Sequence, residues 1–168
     1  FLQYITSRDR KGLIDYAINS IDLVYRNFIH LNADLTTITL VQGDALGGGF
    51  ESAISANVVI AERGVKMGLP EALFNLFPGM GAYSLLSRKI GSGAAEKMIL
   101  SGKLFRSEEL FDLGIVDVLA EKGGGEIAVY NYMKTANRSS NTYSMMRKVR
   151  DICNQVDYKE LQDIAMIW

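Results

Sequence analysis

Two glutamates stand twenty positions apart, each set in a turn marked by glycine or proline. The first closes Ala45-Leu46-Gly47-Gly48-Gly49-Phe50-Glu51. The second closes Met67-Gly68-Leu69-Pro70-Glu71, and Phe77-Pro78-Gly79-Met80-Gly81 follows it. Glycines lack Cβ atoms, so a ligand can approach the backbone of Gly47, Gly48 and Gly49 closely. The first N–H groups of a helix have no internal partner and sit at the positive end of its dipole. A glycine triplet where a strand passes into a helix therefore suits an oxygen that becomes negative during reaction. One such donor contributes about 3–4 kcal/mol to lowering a barrier. A carboxylate about one turn later reaches the carbon beside the held oxygen, and a second, brought in by the Leu69-Pro70 turn, serves the next carbon. Two carboxylates near one substrate titrate as a coupled pair, so one can be acid while the other is base.

Plainer roles fit the same residues. The triplet can serve tight helix–strand packing. Glu51 can be a favourable charge in a first helical turn, and Glu71 after Pro70 an N-terminal helix residue. Gly79-Met80-Gly81-Ala82-Tyr83-Ser84 is a loose match to a dinucleotide-binding pattern, but no strand directly precedes it. His30 has no nucleophile motif to pair with, which argues against Ser/His/Asp hydrolysis and leaves it a structural role.

The elements that must position these groups follow from periodicity. Leu13, Ile14, Ala17, Ile18, Ile21, Val24, Tyr25, Phe28 and Ile29 keep helical spacing, which predicts an amphipathic helix from Arg10 to His30. Thr36 to Gln42 and Val58 to Ala61 read as strands, parallel because a helix over Phe50 to Ala56 separates them. Lys66 to Gly68 adds a brief strand. Helices are predicted over Ala82–Ile90, Ala94–Leu100 and Ser107–Leu113, with Ser107 as N-cap and Gly114 just past the end. Ile115 to Leu119 is a further strand. Gly123-Gly124-Gly125 reads as a flexible joint. Glu126–Asn137, Ser140–Val156 and Tyr158–Trp168 read as helices, giving an α/β order with a helical C-terminal part.

Composition narrows the function classes. The chain has 168 residues, 48% hydrophobic and 22% charged, ordinary values for one globular domain. A net charge of -1 argues against nucleic acid as the main partner. Arg147, Lys148 and Arg150 form a local basic cluster, read as a solvated helix face, with a phosphate-bearing carrier or cofactor as the second reading. Cys153 and His30 are the only residues of their kinds, so no intrachain disulfide and no zinc site of the usual ligands is expected. No apolar run reaches membrane-spanning length and no secretory signal opens the chain, so the cytoplasm is the expected location. The chain begins at Phe1, and Phe1-Leu2-Gln3-Tyr4-Ile5 reads as the middle of a helix, so a fragment is expected.

Gln42-Gly43, Ala45 to Glu51, Gly68 to Glu71, Phe77 to Gly81, Leu100-Ser101-Gly102 and Leu113 to Val116 together resemble the crotonase (enoyl-CoA hydratase/isomerase) family. The resemblance implies a crotonase-like (ClpP/crotonase) spiral of ββα units. Residues 1–122 would be the C-terminal part of its core and 123–168 the helical C-terminal region. The family's first strands and its second oxyanion donor would precede Phe1. It implies Gly48, with Gly47, at the oxyanion and substrate site, and Glu51 and Glu71 as the two carboxylates of a hydratase. Finer detail is similar to the diffusible signal factor (DSF) synthase branch: Glu71 through Ser84, Leu13 to Ala17, and Tyr143 to Arg150 through Trp168. That likeness implies dehydration of a 3-hydroxyacyl thioester on acyl carrier protein to a cis-2-enoyl thioester, then release of the fatty acid as a quorum-sensing signal. No cofactor is implied beyond the acyl carrier protein or CoA thioester. A homotrimer or hexamer and a sensor-protein partner are implied as well. Leu46, Met80 and Trp168 would line an acyl pocket, with core packing as their plainer role. A conventional enoyl-CoA hydratase and an inactive binding or assembly module stand as the alternatives.

Overall fold

The computed structural model describes residues 2–167. Helix α1 (Leu2–Thr6) leads into the long α2 (Arg10–Phe28), whose first turn is capped by Asp9 accepting from the Gly12 N–H at 2.9 Å. The predicted apolar spacing holds, with Ala17, Ile21 and Val24 buried. The helix stops two residues early. His30, Leu31 and Asn32 are all left-handed, with φ of 55°, 56° and 57°, and form a 3-10 turn.

The chain then enters β1 (Ile38–Val41), β2 (Ala45–Leu46), α3 (Gly48–Ile54), β3 (Val58–Glu62) and β4 (Lys66–Gly68). A 3-10 turn over Pro70–Phe74 follows, with proline at its start, where its missing N–H costs nothing. Next come α4 (Ala82–Ile90), α5 (Ser92–Ser101), β5 (Leu104–Arg106), α6 (Ser107–Asp112) and β6 (Val118–Ala120). Three helices close the chain: α7 (Gly125–Arg138), α8 (Ser140–Cys153) and α9 (Tyr158–Ile167).

Two small sheets result. One has the order β1-β3-β6, all parallel, with Ile38 opposite Val58 and Ile60 opposite Val118. Strand β3 lies at its centre and is buried along its whole length, as its run Val-Val-Ile-Ala requires. The other has the order β2-β4-β5, parallel then antiparallel. The main core gathers Phe50 and Ile54 of α3, Ile21 and Val24 of α2, Leu86 of α4 and Leu161 of α9. A smaller cluster of Val58, Ile60 and Ala120 lies beneath α7. This is the α/β, crotonase-like, helix-rich arrangement that the motifs imply.

The strand expected over Ile115–Leu119 begins only at Val118, as β6, and three further local expectations change. Ser107 is the first residue inside α6 rather than its cap. The cap position is Arg106, whose N–H donates to Glu109 Oε2 at 2.8 Å, while the Ser107 hydroxyl donates to the Glu62 carbonyl. The Gly123–Gly125 joint is pinned: Gly123 N donates to Glu62 Oε2 at 2.8 Å and Gly125 N to Glu62 Oε1 at 3.1 Å. Those two bonds, with one from Gln42, hold the Glu62 carboxyl below the usual carboxylate range. The basic cluster is in part a docking face. Arg147 pairs with Asp34 and the Leu35 carbonyl, and Arg150 donates to the Asn57 carbonyl at 2.9 Å.

Helix α8 sits mainly on polar contacts, with one edge-on ring contact from Tyr143 to Tyr132 of α7, centroids 6.0 Å apart. None of its residues is buried, and Asp151 completes the set by bonding His30 Nε2 at 2.9 Å. Met145, Met146, Val149 and Ile152 are exposed along it. A cavity of about 240 Å³ lies between α8 and α4, and one of about 610 Å³ between α8 and α2.

Candidate functional site

Strand β2 ends at Leu46, and the Gly47 N–H completes its pairing by donating to the Gly68 carbonyl at 2.9 Å. Gly47 turns the chain with φ of 54° and ψ of -125°, a conformation that glycine takes without strain. Helix α3 begins at the next residue, and no side chain caps it. One turn in, Glu51 is almost completely buried, at 1% exposure.

The Glu51 carboxylate is held by backbone. Its Oε1 accepts from the Met80 N–H and the Ala82 N–H, both at 2.9 Å. These amides flank Gly81 at the head of α4. The glycine-rich turn that loosely matches a phosphate cradle therefore grips a carboxylate of its own chain. Two charge-assisted bonds fix Oε1 and leave the other oxygen outside that grip. Burial pushes the Glu51 carboxyl up to about 7; the two backbone bonds pull it down, and the charge of Glu71 adds a further push upward.

Glu71 enters from the 3-10 turn. Its Oε1 lies so near Gly47 that a Cβ there would collide with it. Its Oε2 is buried and has no hydrogen-bond partner among the described residues. Burial also raises this carboxyl, offset in part by its own backbone N–H. Met80 reaches the same place from above: a Cβ on Gly48 would stand 2.9 Å from its Sδ. Gly47, Gly48, Glu51, Glu71 and Met80 thus converge, from three separate stretches of chain. Leu46 adjoins Gly47 and is exposed. Trp168 lies outside the described residues.

Two acids in this setting can exchange protons with one bound molecule. The site-holding role of the Met80 and Ala82 amides was not legible in sequence. The signal available was a proline and two glycines just ahead of a helix, a pattern that opens backbone N–H groups without naming what they bind.

Among the described residues, no group of three or more acidic, histidine or cysteine side chains is arranged to hold a metal ion. No helix there is long and apolar enough to cross a membrane.

Residues 15–162 match the model of the enoyl-CoA hydratase/isomerase family. The chain is 34% identical over 111 residues to the peroxisomal bifunctional enzyme of Danio rerio, covering 65% of this chain and 16% of that protein. Its fold is similar to that of enoyl-CoA hydratase from Thermoplasma volcanium GSS1, with TM-score 0.77, 21% identity, and 99% and 65% of the two chains covered. It is also similar to Pseudomonas aeruginosa DspI, with TM-score 0.63, 28% identity, and 73% and 50% covered. The chain spans between 12% and 40% of the length of three curated relatives it matches. A match that takes in the glycine turn, both glutamates and nearly every element places this chain in the enoyl-CoA hydratase/isomerase family.

Proposed function

We propose that this chain carries the two-carboxylate site of a lyase that removes water from, or adds it to, an acyl thioester. One observation supports this above the rest. Buried Glu51 and half-buried Glu71 lie close enough to act on each other beside Gly47 and Gly48, and Oε2 of Glu71 is buried with no partner among the described residues. In the dehydration direction, one carboxylate takes the proton from C2 of a 3-hydroxyacyl thioester. The electrons pass to the carbonyl oxygen, which the Gly48 N–H stabilises. The other carboxyl donates its proton to the C3 hydroxyl, water leaves, and the C2=C3 bond forms. The thioester is the substrate and the reaction calls for no cofactor.

The finer reading is a DSF-synthase-like enzyme that acts on acyl carrier protein thioesters and then hydrolyses the enoyl thioester. Water adds to the carbonyl carbon, and the carrier thiol leaves with a proton. Support for it comes from the Glu71–Ser84 stretch and from the likeness to DspI. Leu46, Met80 and Trp168 line the acyl pocket in this reading, so Trp168→Ala lowers activity on long chains more than on short ones. Equal loss on both lengths removes Trp168 from the pocket.

A conventional enoyl-CoA hydratase is the second reading, favoured by the family match over residues 15–162. Mass spectrometry of products decides between them. The intact protein is incubated with a 3-hydroxydodecanoyl carrier protein and, separately, with short enoyl-CoA. Free cis-2-enoic acid from the first supports the DSF reading, and hydration of the second alone supports the conventional one. Parent-like turnover by both Glu51→Ala and Glu71→Ala rejects the lyase altogether.

A further inference from the structure

The turn that grips Glu51 is itself clamped from outside. Gly81, between the two donating amides, has φ of +111°, a conformation that a side chain would strain. Its α-carbon is covered by the far C-terminal helix: a Cβ at Gly81 would stand 3.1 Å from Leu161 Cδ2 of α9. Val24 of α2 adjoins the same point, with its Cγ1 at 3.6 Å. Leu161 and Val24 are buried, at 1% and 0% exposure, so neither can retreat into solvent.

Helix α9 cannot slide freely over this contact. Arg88, in the last turn of α4, forms a two-pronged pair with Glu160, Nη1 donating to Oε1 at 3.0 Å and Nη2 to Oε2 at 2.9 Å. Glu160 is the neighbour of Leu161. The planar guanidinium fixes both distance and angle. Helix α4 is thus fastened to α9 at both ends: by the Arg88 fork at its tail and by Leu161 against Gly81 at its head.

We propose that Leu161 of α9 is a positioning residue for Glu51, acting through the Gly81 turn. The proposal rests on the lyase reading for its effect on rate. Its effect on the Glu51 carboxyl does not depend on that reading. Removing the Leu161 side chain frees Gly81 to move, and the Met80 and Ala82 amides then drift from Oε1. The space left is apolar and stays dry, so the burial of the carboxyl is unchanged. Only the two bonds that favour its charged form weaken.

Two variants of the intact protein test this, Leu161→Ala and the volume-conserving Leu161→Met. The first readout is the titration of the Glu51 carboxyl, followed by NMR with ¹³C-labelled glutamate and assigned by its loss in Glu51→Gln. In Leu161→Ala the midpoint moves up from about 7, and Leu161→Met returns it toward the parent value. The second is turnover: Leu161→Ala lowers kcat roughly ten- to a hundred-fold, KM changes little, and the pH–rate limb shifts in step with the titration. A folded Leu161→Ala whose Glu51 midpoint and pH–rate limb stay at the parent values overturns the proposal. A parent that does no lyase chemistry, but whose Glu51 midpoint moves in Leu161→Ala, keeps the positioning contact and removes the lyase reading alone.

Discussion

Glu51 has two duties that pull in opposite directions. Its Oε1 completes the head of α4 by accepting from Met80 and Ala82, which favours charge. Its burial opposes charge, and burial wins, lifting the carboxyl from 4.5 to about 7. The folded state therefore binds more protons than the unfolded chain between about pH 4.5 and pH 7, and stability falls as pH rises through that window. Full ionisation costs roughly 3 kcal/mol. Glu51→Gln keeps an acceptor for both amides and removes the charge. It is expected to melt higher than the parent at pH 8, by roughly 2–4 °C per kcal/mol recovered, with the difference closing near pH 5. Calorimetry across that range checks both ends. Its turnover is expected to fall by roughly 10²- to 10⁴-fold, the usual worth of a lost acid or base. Glu71→Gln is expected to lose turnover by a similar factor with a smaller gain at pH 8, since burial raises this carboxyl too but Glu71 is only half-buried. Steady-state kinetics beside melting curves of the two variants separates chemistry from fastening.

Helices are held here in two ways, and they should open differently. Helices α2, α3, α4 and α9 share the main core. Helix α8 rests instead on Arg147, Arg150 and Asp151, across two cavities. Arg147 also holds Asp34 below its ordinary range, through a side-chain bond and its charge. Hydrogen exchange is expected to be fast over 140–153 and slow over 82–90. Arg147→Ala should speed exchange in the first segment and leave the second as it was; equal acceleration in both contradicts the loose docking. The sequence carried the well-patterned helices to within a residue or two, because one buried face imposes its own spacing. It did not carry β2 and β5, which have two and three residues and exist only because β4 lies between them. The joint at Gly123–Gly125 was misread for a similar reason: what pins it is Glu62, some sixty positions earlier. At the site, both glutamates and Gly47–Gly48 were legible from type and spacing. The convergence of Met80 on Gly48, and the grip on Glu51, were not, since neither leaves a periodic trace.

Taken whole, the molecule leaves several large apolar side chains of its C-terminal helices uncovered. Ile127 and Tyr130 of α7 and Met146 and Ile152 of α8 are each more than half exposed. Homotrimers or hexamers, proposed from the family resemblance, would give such side chains a place to go. Light scattering of the intact protein is expected to return three or six times the mass of one copy. A single-copy mass at micromolar concentration contradicts it.

The grip of α4 on Glu51 has a consequence for reading distant kin. A descendant that had lost its chemistry would still suffer if this acid were replaced by alanine, because a helix would lose its anchor. Finding it in another protein is therefore poor proof of a working enzyme. Glu71, whose spare oxygen fastens nothing, is the more truthful witness.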